Sequence, residues 1–480
     1  MNKVWKLFVD ENIKTWKKAS TKIILILIIL SLFGTLALTK LMEKYYKDNI
    51  VMYSANAETE RWKENVKEEI KRIESSIENE NLDDDTIYDL TVQKEKYEIS
   101  LKYNINLYNA GWKREVIEEI ATEKVNDNNS DKISRLEQML EKQDYKEYIN
   151  YQKEQLADEL KNNLITQQDY DDKLMILELK GKYNIDTIYD FYSKDGWKNM
   201  IISYIENAQN SLKTGLDQGN QKLLTVESKQ KLEDDIKIGI YRLENNIPDP
   251  NYEDSNYRAR FEALATSFVM AVIAVASIII AGGEIATEIS SGTIKFWALT
   301  PNKRWKIVTA KLLSVLFYMI IITLIMSVLT IIVANVAFTQ EGSVYLYVKD
   351  GVVHEISNPI YMIETYFVKL IPVIIFAIFS LMLSTITRNA AVAVSFGIAT
   401  YMGNGIMMLI INQYIKQEWV KFIPFNNLNI AGRIFPDAYN PMTIITTQPT
   451  GLVFALCVLA VCVVLMLVTM YDSFNKRDII

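Results

Sequence analysis

Six apolar runs, each about as long as a bilayer is thick, decide what this 480-residue chain can become. They fall at 23–39, 263–283, 307–338, 367–387, 390–411 and 452–471. A helix needs roughly 20 mostly apolar residues to cross ~30 Å of hydrocarbon, and in lipid its backbone groups must be satisfied within the segment itself. The fold class that follows is an all-α membrane protein with six transmembrane helices and both termini on one side. The first run is uniform and has no small-residue cleavage site, so it reads as an anchor rather than a cleaved signal. The third is long enough to tilt or to continue beyond the bilayer. Pro372 is expected to kink the fourth, and Gly397, Gly403 and Gly405 to let the fifth approach a neighbour closely.

Charge is segregated along the chain. Residues 42–262 carry 47 Asp and Glu against 32 Lys and Arg, whereas the other 259 residues carry 12 acids against 20 bases. Orientation follows from basic residues in the short loops. The segments 1–22, 284–306, 388–389 and 472–480 hold thirteen Lys and Arg, and the loops 339–366 and 412–451 hold four. The expected arrangement is a multi-pass protein of a bacterial cell membrane with cytoplasmic termini and residues 42–262 extracellular. Three parts result: 1–41, an interfacial helix and the first span; 42–262, a water-exposed domain; and 263–480, five spans with a cytoplasmic loop at 284–306.

Residues 1–18 set Trp5, Phe8, Val9, Ile13 and Trp16 on one helical face, with Lys3, Lys6, Lys14, Lys17 and Lys18 around it. That pattern predicts an amphipathic helix on the inner leaflet. The 42–262 domain has no proline before Pro248, and its apolar residues form narrow helical stripes. Trp62, Val66, Ile70, Ile73 and Ile77 make one, and Leu232, Ile236, Ile240, Leu243 and Ile247 another. The two stripes predict an antiparallel, coiled-coil-like stalk. Arg-(Ile/Leu)-Glu occurs at 72–74, 135–137 and 242–244. Lys-Tyr-Asn-Ile at 102–105 and 182–185 is followed each time by Gly-Trp-Lys, at 111–113 and 196–198, as in a degenerate duplication. The aromatic residues of this domain read either as its core or as a binding surface.

Composition removes several functions. His354 is the only histidine, so no His-X-X-X-His zinc site exists. Cys457 and Cys462 lie five apart within one apolar run and cannot face each other on a helix. No Gly-x-x-x-x-Gly-Lys-Ser/Thr phosphate loop occurs, and the exposed domain is too acidic to favour nucleic acid. The chain alone has no catalytic group, metal site or cofactor site in view. With Lys369 as an exception, the spans look almost free of ionisable residues, so no buried ion path is expected.

The sharpest local pattern follows the second span. Glu284 and Glu288 precede the pair Gly292-Thr293; Phe296, Trp297 and Leu299 lead to Pro301; Arg304 and Lys311 follow. The order and spacing resemble the permease subunits of the ABC-2 transporter superfamily. The tight turn at Arg388-Asn389 and the basic end at Lys476-Arg477 fit the same pattern. The resemblance covers residues 1–41 and 263–480, but not the 42–262 domain, which is far larger than the family's usual loop. It implies that segment 284–301 is a coupling helix that docks on a separate ATPase subunit, which binds the ATP and Mg. Its contact residues would be Glu284, Glu288, Gly292, Thr293, Phe296, Trp297, Leu299, Pro301 and Arg304. It further implies a second permease copy or paralogue, and export of a hydrophobic or amphipathic cargo such as a peptide, antibiotic or lipid-like molecule. In the loop 412–451, Trp419, Phe422, Phe425, Phe435 and Tyr439 read either as an interfacial aromatic belt or as helices near an exit. The alternative is a non-transporting surface protein of the YhgE/phage-infection type, a receptor or secretion component with the same span layout.

Overall fold

The computed structural model describes residues 2–57, 61–79, 82–107, 110–126, 130–186, 196–217, 223–249, 256–294, 303–340, 342–415, 417–435 and 450–476, with the side chains of 2, 3, 46–57, 79 and 227 excepted. The chain divides into two compact units, Met1–Glu43 with Asn256–Tyr345 and Glu355–Ile480, and Lys44–Ser255 with Leu346–His354. Helix α1 (Asn2–Lys17) opens the first unit, and the long α2 (Ala19–Ala57) runs from the first into the second.

The second unit is a chain of helical hairpins: α3 (Arg61–Asn79), α4 (Asp84–Lys102), α5 (Trp112–Val125), α6 (Ser130–Lys142), α7 (Tyr145–Lys161), α8 (Gln167–Tyr183), α9 (Gly196–Thr214) and α10 (Val226–Asn245). Side-chain caps start several of these helices. Asp83 accepts from the Thr86 amide, and Thr166 with Asp169 forms a reciprocal capping box before α8. The two stripes expected to pair with each other do not form a stalk. Helix α3 packs on α4, and α10 on α9. Short connections make the sequence neighbour the nearer partner for each apolar stripe. The repeated tetrapeptide has one conformation in both places. Asn104 and Asn184 adopt left-handed backbones (φ 54° and 50°), and the amides of Ile105 and Ile185 return to the carbonyls of Ser100 and Lys180 at 2.9 Å. That is the Schellman closure of a helix end. The tryptophan that follows each copy, Trp112 and Trp197, is buried in its own apolar cluster, so the aromatic repeat is core.

The first unit holds α11 (Tyr257–Ser290), α12 (Arg304–Ala337), α13 (Asn358–Thr387), α14 (Ala390–Tyr414) and α15 (Leu452–Lys476). Together with Ala19–Tyr45 of α2, six helices among the described residues are long and apolar enough to cross a membrane. This is an all-α, multi-pass membrane architecture. Helix α11 is its hub, packing on α12, α13 and α14. Half of the most apolar windows of α11 and α13 are buried, against 11% for α14 and α15, which leave most of their apolar surface uncovered by the other described residues. Within the spans, close approach needs glycine at two points: a Cβ on Gly282 would stand 2.7 Å from Ser380 Oγ, and one on Gly397 2.7 Å from Ile278. Gly403 and Gly405 have nothing within 4 Å, so of the three glycines in the fifth run only Gly397 serves packing within the chain. Helix α13 runs through Pro372 without ending.

Two further features depart from the sequence reading. Helix α11 continues to Ser290, seven residues past the expected end of its apolar run. A β-hairpin, Tyr345–Lys349 with Val352–Ile356, interrupts the helical pattern, turning at Asp350-Gly351 with both φ values positive (52° and 80°). Asp-Gly is a strong two-residue hairpin signal.

Candidate functional site

Where α11 ends, α12 begins and α1 packs against it, six charged side chains meet. Glu284 and Glu288 are one turn apart and share a face of α11. Lys311, in the second turn of α12, lies between them: its Nζ is 2.9 Å from Glu288 Oε2, 3.6 Å from Glu284 Oε1 and 3.1 Å from Glu11 Oε2 of α1. Lys18 Nζ reaches Glu284 Oε2 at 3.1 Å, and Lys14 pairs with Glu288. The side chains of Lys311, Glu284 and Glu11 are 1–2% exposed, whereas Lys14 and Lys18 are 41% and 35% exposed and form the rim.

Three carboxylates and three ammonium groups balance, which is the condition for holding charges out of water. Location adds to it. The last turns of α11 carry unsatisfied carbonyls and the negative end of the helix dipole, favouring nearby lysines. Burial pushes the Glu11 carboxyl above its ordinary value, with Lys311 and Lys14 pulling against it and Glu284 adding to the rise. Lys14 is lowered, first by burial and then by the like charge of Lys311.

Helix α1 therefore packs in the opposite sense to a simple surface helix. Glu11, Asn12 and Thr15 are buried, and Trp5, Val9 and Ile13 are exposed at 65%, 37% and 49%. Phe8 and Trp16 fix the register on α12, edge-on to Phe317 (centroids 5.6 Å) and tilted over Tyr318 (5.2 Å). The signal for this was present in the spacing of Glu11, Lys14 and Lys18, at i, i+3 and i+7, which lay hidden among the other lysines. Lys311 falls inside the third apolar run, so the expectation of spans nearly free of ionisable groups is corrected. A salt-bridged Lys is tolerated there because its counter-ions arrive from two other helices.

The residues expected to line a docking segment are split by the structure. Glu284 and Glu288 stand on α11 and face the cluster, and are therefore not displayed on a loop. Gly292 ends α11, with φ 72° and its amide donating to Ile289 O at 3.1 Å. Thr293 Oγ1 donates to Glu288 O at 3.3 Å, holding the turn against the last helical turn. Ile294 is buried in the same apolar cluster as α11 and α12. Arg304 opens α12 and donates to Asn475 O at 3.0 Å, capping the last turn of α15. Phe296, Trp297, Leu299 and Pro301 lie outside the described residues. Of the loop aromatics, Phe435 is buried against Tyr345 and Tyr361, Phe425 stacks on Phe376, and Trp419 and Phe422 are exposed; Tyr439 lies outside the described residues. Both cysteines are free. Among the described residues no group of His, Cys, Asp or Glu is placed to hold a metal.

Residues 244–480 match a family described as "Protein of unknown function (DUF2705)". The chain is also similar to a Bacillus subtilis (strain 168) protein described as "Uncharacterized protein YhcI", with 29% identity over 252 residues, covering 51% of this chain and 75% of the relative. No solved structure matches.

Proposed function

We propose that this chain is the membrane subunit of an ABC exporter of the ABC-2 type. In this reading a separate ATPase subunit binds ATP and Mg, and two permease chains, identical or paralogous, form the path for a hydrophobic or amphipathic cargo. The observation that carries it is the ionic cluster at the two ends of the 291–303 connection. A force applied to that connection by a closing partner reaches α11 and α12 at once, because Lys311 ties both to α1. Moving one helix alone would separate buried opposite charges, at a cost of about 3–5 kcal/mol per broken partnership. The three elements therefore move as a block, which is what a transmission device requires and a passive receptor does not. In the same reading α1 lies on the cytoplasmic leaflet with Trp5, Val9 and Ile13 in lipid, and residues 42–262 project outside as a helical domain.

The test uses the segment that docks. Phe296→Asp sets a carboxylate into an apolar groove of the ATPase, at a cost of several kcal/mol, estimated as roughly the desolvation of an unpaired charge. Membrane insertion is expected to stay normal while co-purification with an ABC ATPase subunit co-expressed with this chain, and cargo-stimulated ATP turnover, are lost. Lys349→Asp on the hairpin is the control. Full ATPase binding and turnover in Phe296→Asp would sink the exporter reading and leave the receptor type of surface protein as the better account.

A further inference from the structure

A second charged group inside the helix bundle is solved in a different way. Lys369 stands eleven residues into α13, and Thr266 and Ser267 stand nine and ten residues after the start of α11. At ~1.5 Å per residue these positions lie about 14–16 Å along helices roughly 45–50 Å long. Centred on ~30 Å of hydrocarbon, Thr266 and Ser267 fall ~3–5 Å inside the boundary and the Lys369 backbone about 9 Å inside, with the Lys369 ammonium drawn to the level of Thr266 and Ser267. A lysine at this depth ordinarily extends its ammonium to water or takes a carboxylate. Lys369 Nζ instead turns to two neutral oxygens, Thr266 Oγ1 at 3.0 Å and Ser267 Oγ at 3.1 Å.

Among the described residues the charge is left uncompensated. The carboxylate one turn away on α11, Glu262, is already committed: Oε1 accepts from Arg258 at 3.0 Å, and Oε2 from Asn358 at 2.9 Å and the Ser343 amide at 3.2 Å. Among the described residues no carboxylate stands within ion-pair distance of Lys369. Donors are left over as well. Thr266 Oγ1 spends its proton on Ala263 O at 3.0 Å, so it serves Nζ purely as an acceptor. Ser267 Oγ accepts from Nζ, and its own proton has no acceptor among the described residues; nor has the third N–H of the ammonium. One cationic N–H and one O–H thus remain side by side, on residues that are only half-buried, next to Phe268, which is 47% exposed.

We propose that Lys369, Ser267 and Thr266 form a binding site for the phosphate of an anionic amphiphile. Two non-bridging oxygens take the two free donors, and the acyl chain lies in the bilayer along Phe268. The site is independent of the ATPase reading. The shared chemistry is an anionic phosphate, whether it comes from a membrane lipid or is free in solution.

The experiment titrates the detergent-purified full chain with dioctanoyl-phosphatidylglycerol, dioctanoyl-phosphatidylcholine or inorganic phosphate, and reads binding by native mass spectrometry. The phosphatidylglycerol is expected to bind, with about tenfold or greater loss in Lys369→Met, as for a charge-assisted hydrogen bond to a desolvated group, and recovery in Lys369→Arg. The zwitterionic lipid is expected to show no dependence on residue 369. Saturation by inorganic phosphate would identify the free ion as the source; a requirement for the acyl chains would identify the lipid. Equal phosphatidylglycerol affinity in the parent and Lys369→Met overturns the site and reduces Lys369 to a tie between α11 and α13. If Lys369→Met does not fold, Ser267→Ala decides: a severalfold loss supports the site and unchanged affinity removes it.

Discussion

Lys311→Met removes the centre of the ionic cluster and little else. Methionine keeps the unbranched stem that packs between α1 and α11, so the change is one of charge rather than of volume. Three carboxylates then face only Lys14 and Lys18, which already serve Glu288 and Glu284 and are partly exposed. Glu11 is left with Lys14 alone, at 3.9 Å. Because Lys311 and Glu284 are almost fully buried, the effect is not discounted for solvent screening, and about 3–5 kcal/mol of stability should be lost. At roughly 2–4 °C per kcal/mol for a unit of this size, the melting midpoint in detergent falls by ~10 °C. The companion variant Lys311→Met with Glu288→Gln neutralises both partners and is expected to recover a substantial part of that loss, since a missing pair costs less than an orphaned charge. Melting is read by size-exclusion after heating. A single variant within about 1 °C of the parent, or a double variant lower than the single, would refute the assignment of Lys311 as the keystone.

Four further outcomes follow. Burial raises the Glu11 carboxyl, so the folded state holds that proton more tightly than the unfolded one; the resulting stability is present at low pH and is lost as pH rises from about 4.5 through the raised value. The difference in melting midpoint between the parent and Glu11→Gln should therefore move in the parent's favour between about pH 8 and about pH 5, and a slope of opposite sign would contradict it. Gly292→Pro fixes φ near −65° where +72° is needed and deletes the amide that donates to Ile289, so it should melt lower than Gly292→Ala, as a melt of both would show. Single cysteines at Asp84 and Lys303, in a Cys457→Ala, Cys462→Ala background, should label from opposite sides of the membrane; labelling of both from one side breaks the proposed topology. Residues 44–255 expressed alone should give a circular dichroism spectrum dominated by helix and remain soluble, and a strand-dominated spectrum would count against the hairpin architecture.

What the sequence discloses here depends on how local the determining physics is. The six spans were legible because hydropathy over ~20 residues is a single-segment property. Read only as a duplication, the repeated Lys-Tyr-Asn-Ile does not disclose the helix ends it encodes at Asn104 and Asn184, although a Schellman closure is built from adjacent residues. The pairing of α3 with α4, rather than with α10, was not legible. An apolar stripe states that a helix face is covered but not by which neighbour, and connection length decides that. The Asp350-Gly351 turn was available in the sequence and lies masked among long helical runs, where a five-residue strand carries little weight.

The candidate site failed to appear for a more instructive reason. Reading α1 by its hydrophobic face sets that face toward the inner leaflet and gives the polar face, Glu11 included, no partner within the protein. In the proposed arrangement Trp5, Val9 and Ile13 meet lipid, which costs them nothing. The face that cannot be left in lipid is the polar one, and Glu11 gains most by turning inward to Lys311. The same missing partner explains why Glu284 and Glu288 looked like loop residues. Carboxylates end an apolar run on any hydropathy scale, yet α11 continues through both, because Lys311, Lys14 and Lys18 meet them from outside that run. In a membrane protein a charge that interrupts a span is therefore better read together with every charge of opposite sign that the topology brings to the same end of the bundle. Applied to this chain, that rule joins Glu11 and Lys311 across 300 positions of sequence.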